Sequence, residues 1–140
     1  MKLDKAAILI KKAALEFDKL SNAVLEKYDL TISQYKVMKY LYFEYENGVR
    51  IVDLEKYYSM SHPTTIGIIQ NLEKKGLVAY KENPNHARSR FIVPSKKGFE
   101  MRAELDGIGS DLEKTFTQKL SEDERKLLVE LLRKLMGLEE

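Results

Sequence analysis

Two clusters of residue types in this chain could do chemistry. The first is SHPTT, residues 61–65, where the hydroxyls of Ser61, Thr64 and Thr65 stand beside His62 and Pro63. The second is NPNHARSRF, residues 83–91, which carries Arg88 and Arg90 and is flanked by Lys81, Lys96 and Lys97. Hydroxyls at a helix start can bond phosphate or base edges, and guanidinium groups hold phosphate through paired donors. Neither cluster is built to break bonds. No nucleophile–base–acid set, P-loop or glycine-rich phosphate cradle is present, so the chain reads as a non-enzyme. Cysteine is absent, which removes disulfides, thiolate metal sites and cysteine redox sensing. Only His62 and His86 remain as imidazoles, without an acid at ligand spacing, so neither a metal site nor a cofactor is expected.

The charge distribution points the same way as the arginines. The net charge is only +2. Between Arg50 and Gly98, however, nine Lys or Arg stand against four acids, while the rest of the chain holds 15 basic and 18 acidic residues. The middle of the chain is thus disposed toward a polyanion and the ends toward something else. A polyanion such as double-stranded DNA is the expected partner. A hydrophobic fraction of 44% in 140 residues supports one folded domain over residues 1–140. The N-terminus is broken by lysines and acids every few residues, so no membrane segment is expected and the expected location is cytoplasmic.

The elements that must position these clusters follow from periodicity. Ala6, Ile10, Ala13, Phe17, Leu20 and Val24 make one helical stripe, predicting a long helix from Asp4 to about residue 27. Thr31 and Gln34 fit a T-x-x-Q capping box, opening a second helix that buries Val37, Met38, Leu41, Tyr42 and Tyr45 and ends at Asn47 and Gly48. Residues 51–58 form a short third helix. Ser61 is then the N-cap of a fourth helix over 62–75, with Pro63 tolerated in its first turn and Ile66, Ile69, Leu72 and Ile68 as core contacts before Gly76. Asn-Pro-Asn is turn chemistry, so residues 77–82 and 90–94 are the strands of a hairpin with the arginines at its tip. Ser95 caps a long fifth helix along Met101, Leu105, Ile108 and Leu112, with a kink or a close crossing expected at Gly107 and Gly109. Ser121 and Glu124 box in a last helix, whose face of Leu127, Leu128, Leu131, Leu132 and Leu135 is wider than a small monomer needs.

The fold class expected is mainly α with a small two-stranded antiparallel β-wing. Two short helices joined by a tight turn, followed by a basic hairpin, describe a winged helix-turn-helix. Its second helix enters the major groove, and its hairpin follows the backbone or enters the minor groove, whose negative potential attracts guanidinium.

The residues also resemble the MarR family of bacterial multiple-antibiotic-resistance regulators. The resemblance runs through LTISQYKVM (30–38), SHPTTIGIIQNLEKKGLV (61–78), the wing followed by SKKG (95–98), and LSEDERKLLVELLRKL (120–135). It implies a homodimer whose N- and C-terminal helices, about 1–30 and 96–140, interlock. It also implies that the winged helix-turn-helix of about 31–98 reads a palindromic operator as a repressor. The family's S-R-P-T-V-T-R is matched at Ser61, Pro63 and Thr64, while His62 and Gly67 stand where arginines are common. The family's wing triplet D-x-R is here His86, Ala87, Arg88, so the arginine matches and the aspartate does not. DNA contacts are therefore expected from Ser61, His62, Pro63, Thr64, Thr65, Arg88 and Arg90.

Many relatives bind small aromatic or phenolic anions between the dimerisation and DNA-binding parts. A possible small-molecule effector is accordingly assigned to the cleft beside Tyr28 and Tyr35, although tyrosines there equally suit a core with wet hydroxyls. A winged helix used purely as a protein-interaction module is the alternative to a DNA reader. Salt-sensitive binding to duplex DNA separates the two.

Overall fold

The computed structural model describes residues 5–138. Helix α1 spans Ala6–Leu25 and passes through a 3-10 turn, Glu26–Tyr28, to α2, Ile32–Glu44. A start of α1 at Asp4 lies outside the described residues. The capping box opens α2 as expected: Gln34 N–H donates to Thr31 Oγ1 and Thr31 N–H to Gln34 Oε1, both at 3.1 Å. Helices α3, Ile51–Tyr58, and α4, His62–Lys74, follow, joined through Ser59 in the left-handed region.

The wing pairs β1, Val78–Lys81, with β2, Phe91–Pro94, antiparallel, with Val78 opposite Pro94 and Lys81 opposite Phe91. Both strands are shorter than the sequence suggests. Leu77 is taken by the end of α4: its N–H donates to Leu72 O, and its carbonyl accepts from Ser95 N–H at 2.9 Å. The free edge of β2 donates Ile92 N–H to Val49 O at 2.7 Å, tying the wing back to the loop before α3. Gly48 is required there. Its φ is +79°, and a Cβ on it would sit 2.5 to 2.8 Å from ring carbons of Phe91.

The expected long fifth helix is two helices, α5, Lys96–Glu100, and α6, Arg102–Phe116, meeting at Met101. The break is not at the glycines. The buried Tyr42 hydroxyl donates to Gly98 O, and Met101 N–H closes on the same carbonyl three residues back, where an α-helix would bring Arg102. Gly107 lies in open space, whereas a Cβ at Gly109 would stand 3.2 Å from the Tyr35 hydroxyl, so the close crossing falls at Gly109. Helix α7, Glu122–Leu135, starts with the Ser121–Glu124 capping box.

One core joins the wing, α4 and α6. Val37, Met38, Leu41, Leu54, Ile69, Leu72, Ile92 and Leu105 have no exposed surface, and Tyr42 almost none. Tyr45 lies outside it, half-buried in a 3-10 turn after α2. In α4, Thr65 is fully buried while Ile66 and Ile68 are only half-buried. Thr65 fits because its hydroxyl donates to Ser61 O at 2.9 Å, leaving only its methyl and methine to the core.

Burial holds the Tyr42 and Tyr58 phenols up at about 12. An unfolded tyrosine ionises near 10, so above that pH the unfolded state loses protons that the native state keeps. Stability should be level below about pH 10 and fall as pH rises toward 12. Urea midpoints across that window check this, and Tyr42→Phe should flatten the decline.

Candidate nucleic-acid interface

The start of α4 is shaped by its own first four residues. Ser61 Oγ accepts from Thr64 N–H at 3.3 Å and donates to Thr64 Oγ1 at 2.9 Å, so cap and hydroxyl pair are one unit. Ser61, His62, Pro63 and Thr64 are all exposed. His62 is exposed but tethered, its Nδ1 3.1 Å from Glu55 Oε1 of α3. Thr65 is a correction: a residue with no exposed surface cannot meet a base, and it supports the helix from beneath.

The wing tip is built without an aspartate. Asn83 Oδ1 accepts from Asn85 N–H at 3.0 Å, Asn83 O accepts from His86 N–H at 3.1 Å, and His86 O accepts from Ser89 N–H at 3.1 Å. Two consecutive tight turns thus present His86 and Arg88 to solvent. Arg90 is the better-fixed cation, its guanidinium carbon 4.0 Å from the centroid of the Tyr80 ring. Among the described residues neither arginine forms an ion pair with a carboxylate. An open groove of about 500 Å³ runs between wing and helices, and its walls include Arg50, Glu55, His62, Ile66, Tyr80, Arg88 and Arg90. The fold therefore brings His62, Arg88 and Arg90 to one groove. Ser61, Pro63 and Thr64 lie beside it on the outer face of α4.

No family model matches the chain. The transcriptional regulator HosA of Escherichia coli O111:H- is 30% identical over 109 residues, 78% of this chain and 79% of HosA. A point mutant of Escherichia coli MarR complexed with operator DNA is 27% identical with a TM-score of 0.80, over 92% of this chain and 91% of that one. The chain belongs to the MarR family. Bordetella bronchiseptica BpsR, whose DNA binding is regulated by 6-hydroxynicotinic acid, shares the fold at 21% identity and a TM-score of 0.81, over 95% and 94% of the two chains.

This MarR-family chain is accordingly a DNA-binding transcriptional regulator rather than an enzyme, and among its described residues no helix is long and apolar enough to cross a membrane. Not all of its central cations face outward. Lys75 donates to Asp29 O and, at 2.9 Å, to Gln34 Oε1, while Lys97 donates to Lys75 O at 3.2 Å. These two lysines brace α4 and α5 against the body. Arg50 is similarly compensated by Asp53, its Nη2 donating to Oδ1 at 3.2 Å.

The two tyrosines assigned to an effector sit differently from each other. Tyr28 is half-buried in the 3-10 turn after α1. Tyr35 wedges α2 against α6, its hydroxyl donating to Leu105 O at 3.2 Å, and burial together with Asp106 raises its phenol. A groove of about 320 Å³ at the turn between α1 and α2 is lined by Asn22, Glu26, Asp29, Leu30, Thr31 and Lys75 and includes neither tyrosine. Gln70, Asn71 and Lys74 are also exposed, further along α4. They stand three, four and seven residues after Gly67, the helical spacing by which a sequence shows one shared face.

Proposed function

We propose that this MarR-family chain acts in the cytoplasm as a homodimeric repressor of a short inverted repeat, released when a small aromatic or anionic molecule binds. The observation that carries this is the exposed, capped α4 start, whose His62 shares one groove with the exposed Arg88 and Arg90. That spacing suits a helix in the major groove with guanidinium groups on the flanking backbone or minor groove. Dimerisation is supported by α7, which buries no residue within its own chain and leaves Leu127, Leu128, Leu131 and Leu135 exposed. In this reading residues 31–98 meet DNA, while 1–30 and 96–140 meet the second copy.

Release by an aromatic carboxylate is supported by the regulation of BpsR by 6-hydroxynicotinic acid and by the place of Tyr35 between α2 and α6. The effector must prefer the shape that cannot hold the operator, since equal affinity for both shapes would shift nothing.

Light scattering at micromolar concentration should return about twice the chain mass of 16.3 kDa. On duplexes with half-site centres about 10 base pairs apart, Arg88→Ala should weaken binding to every sequence and lower the salt slope by about one. Thr64→Ala should instead change preference among sequences. If both variants and wild type bind operator and random DNA equally, the repressor reading fails. Titration with aromatic carboxylates should dissociate the complex, and zinc or peroxide should not.

A further inference from the structure

The geometry points to Gly67, Gln70 and Asn71 as the sequence-reading surface of α4, with adenine as the base they read. The inference rests on the DNA-binding reading above and adds which bases the helix selects. Thr65, Ile69 and Leu72 have no exposed surface and define the inner face of α4. At 100° per residue, Gly67, Gln70, Asn71 and Lys74 fall on the opposite side, continuing the line that starts at Pro63 and Thr64. Gln70, Asn71 and Lys74 are exposed.

Gly67 is the telling position. A mid-helix glycine lowers stability relative to alanine, a cost that a close contact inside the protein would offset. Here there is none inside the protein: a Cβ at Gly67 would meet nothing within 4 Å, and Gly67 is not among the positive-φ glycines. Gly107 of α6 has the same open space, so what sets Gly67 apart is its place on the outward line of α4, and a solvated face gains nothing from the gap. A surface pressed against another molecule does, because the missing side chain lets the helix backbone approach closely. Gln70 and Asn71 then stand one turn further along, on the same side. A terminal amide offers one donor and one acceptor side by side, matching the N6 donor and N7 acceptor of adenine in the major groove. Lys74, a further turn on, suits phosphate. With glycine at 67 and amides at 70 and 71, the outward centre of the helix has no guanidinium for guanine and is furnished for A·T pairs.

Sequences bound by wild type from a random duplex pool should form an inverted repeat with adenine favoured at one or two positions of each half-site. Asn71→Ala and Gln70→Ala should erase those preferences and weaken the selected operator about 5- to 100-fold, leaving random duplex affinity and salt slope unchanged. Asn71→Arg should exchange adenine for guanine. Gly67→Leu should raise Tm by about 4 °C while weakening the selected operator by about 100-fold. That pairing of gained stability with lost affinity would not arise from a structural role. If the variants select the wild-type repeat with wild-type affinity, this inference is overturned and the repressor reading stands. If wild type selects no sequence, the repressor reading falls and this inference with it.

Discussion

Gly98→Ala is expected to destabilise the fold by about 3 kcal/mol, a large loss for one methyl group. The added Cβ would fall well inside the contact radius of the Leu77 carbonyl oxygen and only 3.2 Å from the Leu77 carbonyl carbon and from Met38 Cε. Met38 could swing its end aside. The Leu77 carbonyl cannot, because it already accepts from Ser95 N–H at 2.9 Å and sits where α4 ends and β1 begins. The Gly98 carbonyl is held in turn by the buried Tyr42 hydroxyl. A shift at this crossing would therefore reach the wing, α2 and the junction of α5 with α6 together. Urea unfolding at fixed protein concentration measures the effect, with Gly107→Ala as the comparison. A Cβ at Gly107 meets nothing within 4 Å, so that variant should gain about 1 kcal/mol. Equal midpoints for the two variants would show that the α5 crossing is looser than its geometry.

The second large effect is on assembly. Leu128 and Leu131 of α7 are 41% and 55% exposed in the single chain, beside Leu127 and Leu135 at 54% and 66%. In the proposed homodimer a second copy covers these side chains and they leave water. Replacing two of them with carboxylates would bury uncompensated charge at the centre of the interface. Leu128→Glu with Leu131→Glu should thus give a particle of 16.3 kDa by light scattering. Its far-UV spectrum should stay helical, since α7 buries nothing within its own chain. Affinity for an operator with two half-sites should fall about 100-fold or more, because the second half-site loses its tethered partner. Affinity for a single half-site should hardly change. A double variant that remains dimeric and binds the full operator as wild type does would place the interface elsewhere.

The parts of this structure legible in the sequence are those whose partners lie within one helical turn or one hairpin. Thr31 with Gln34, Ser61 with Thr64, Ser95 with Gly98, and Ser121 with Glu124 are pairs three residues apart, and each cap closes as spacing predicts. The short α3 and the wing are readable for the same reason: apolar spacing and Asn-Pro-Asn act locally. The order of these pieces along the chain is enough to point to the family without any long-range contact.

Contacts between distant residues decided the rest. The Tyr42 hydroxyl meets a carbonyl 56 residues away, and this marks the break at Met101 that no local pattern announced. Tyr35, 70 residues from its acceptor on α6, made Gly109 the crossing and left Gly107 free. Thr65 displaced the more apolar Ile66 from the core because helix orientation, not hydropathy, chose the inward face. Lys75 and Lys97 count toward the basic centre but commit their ammonium groups to carbonyls of the fold. The order of charged residues therefore determined that positive charge gathers between Arg50 and Gly98, and local spacing determined which helices and turns carry it. Only the tertiary structure decided which of those charges face outward, because a side chain's partners across the core are set by packing that no sequence window contains.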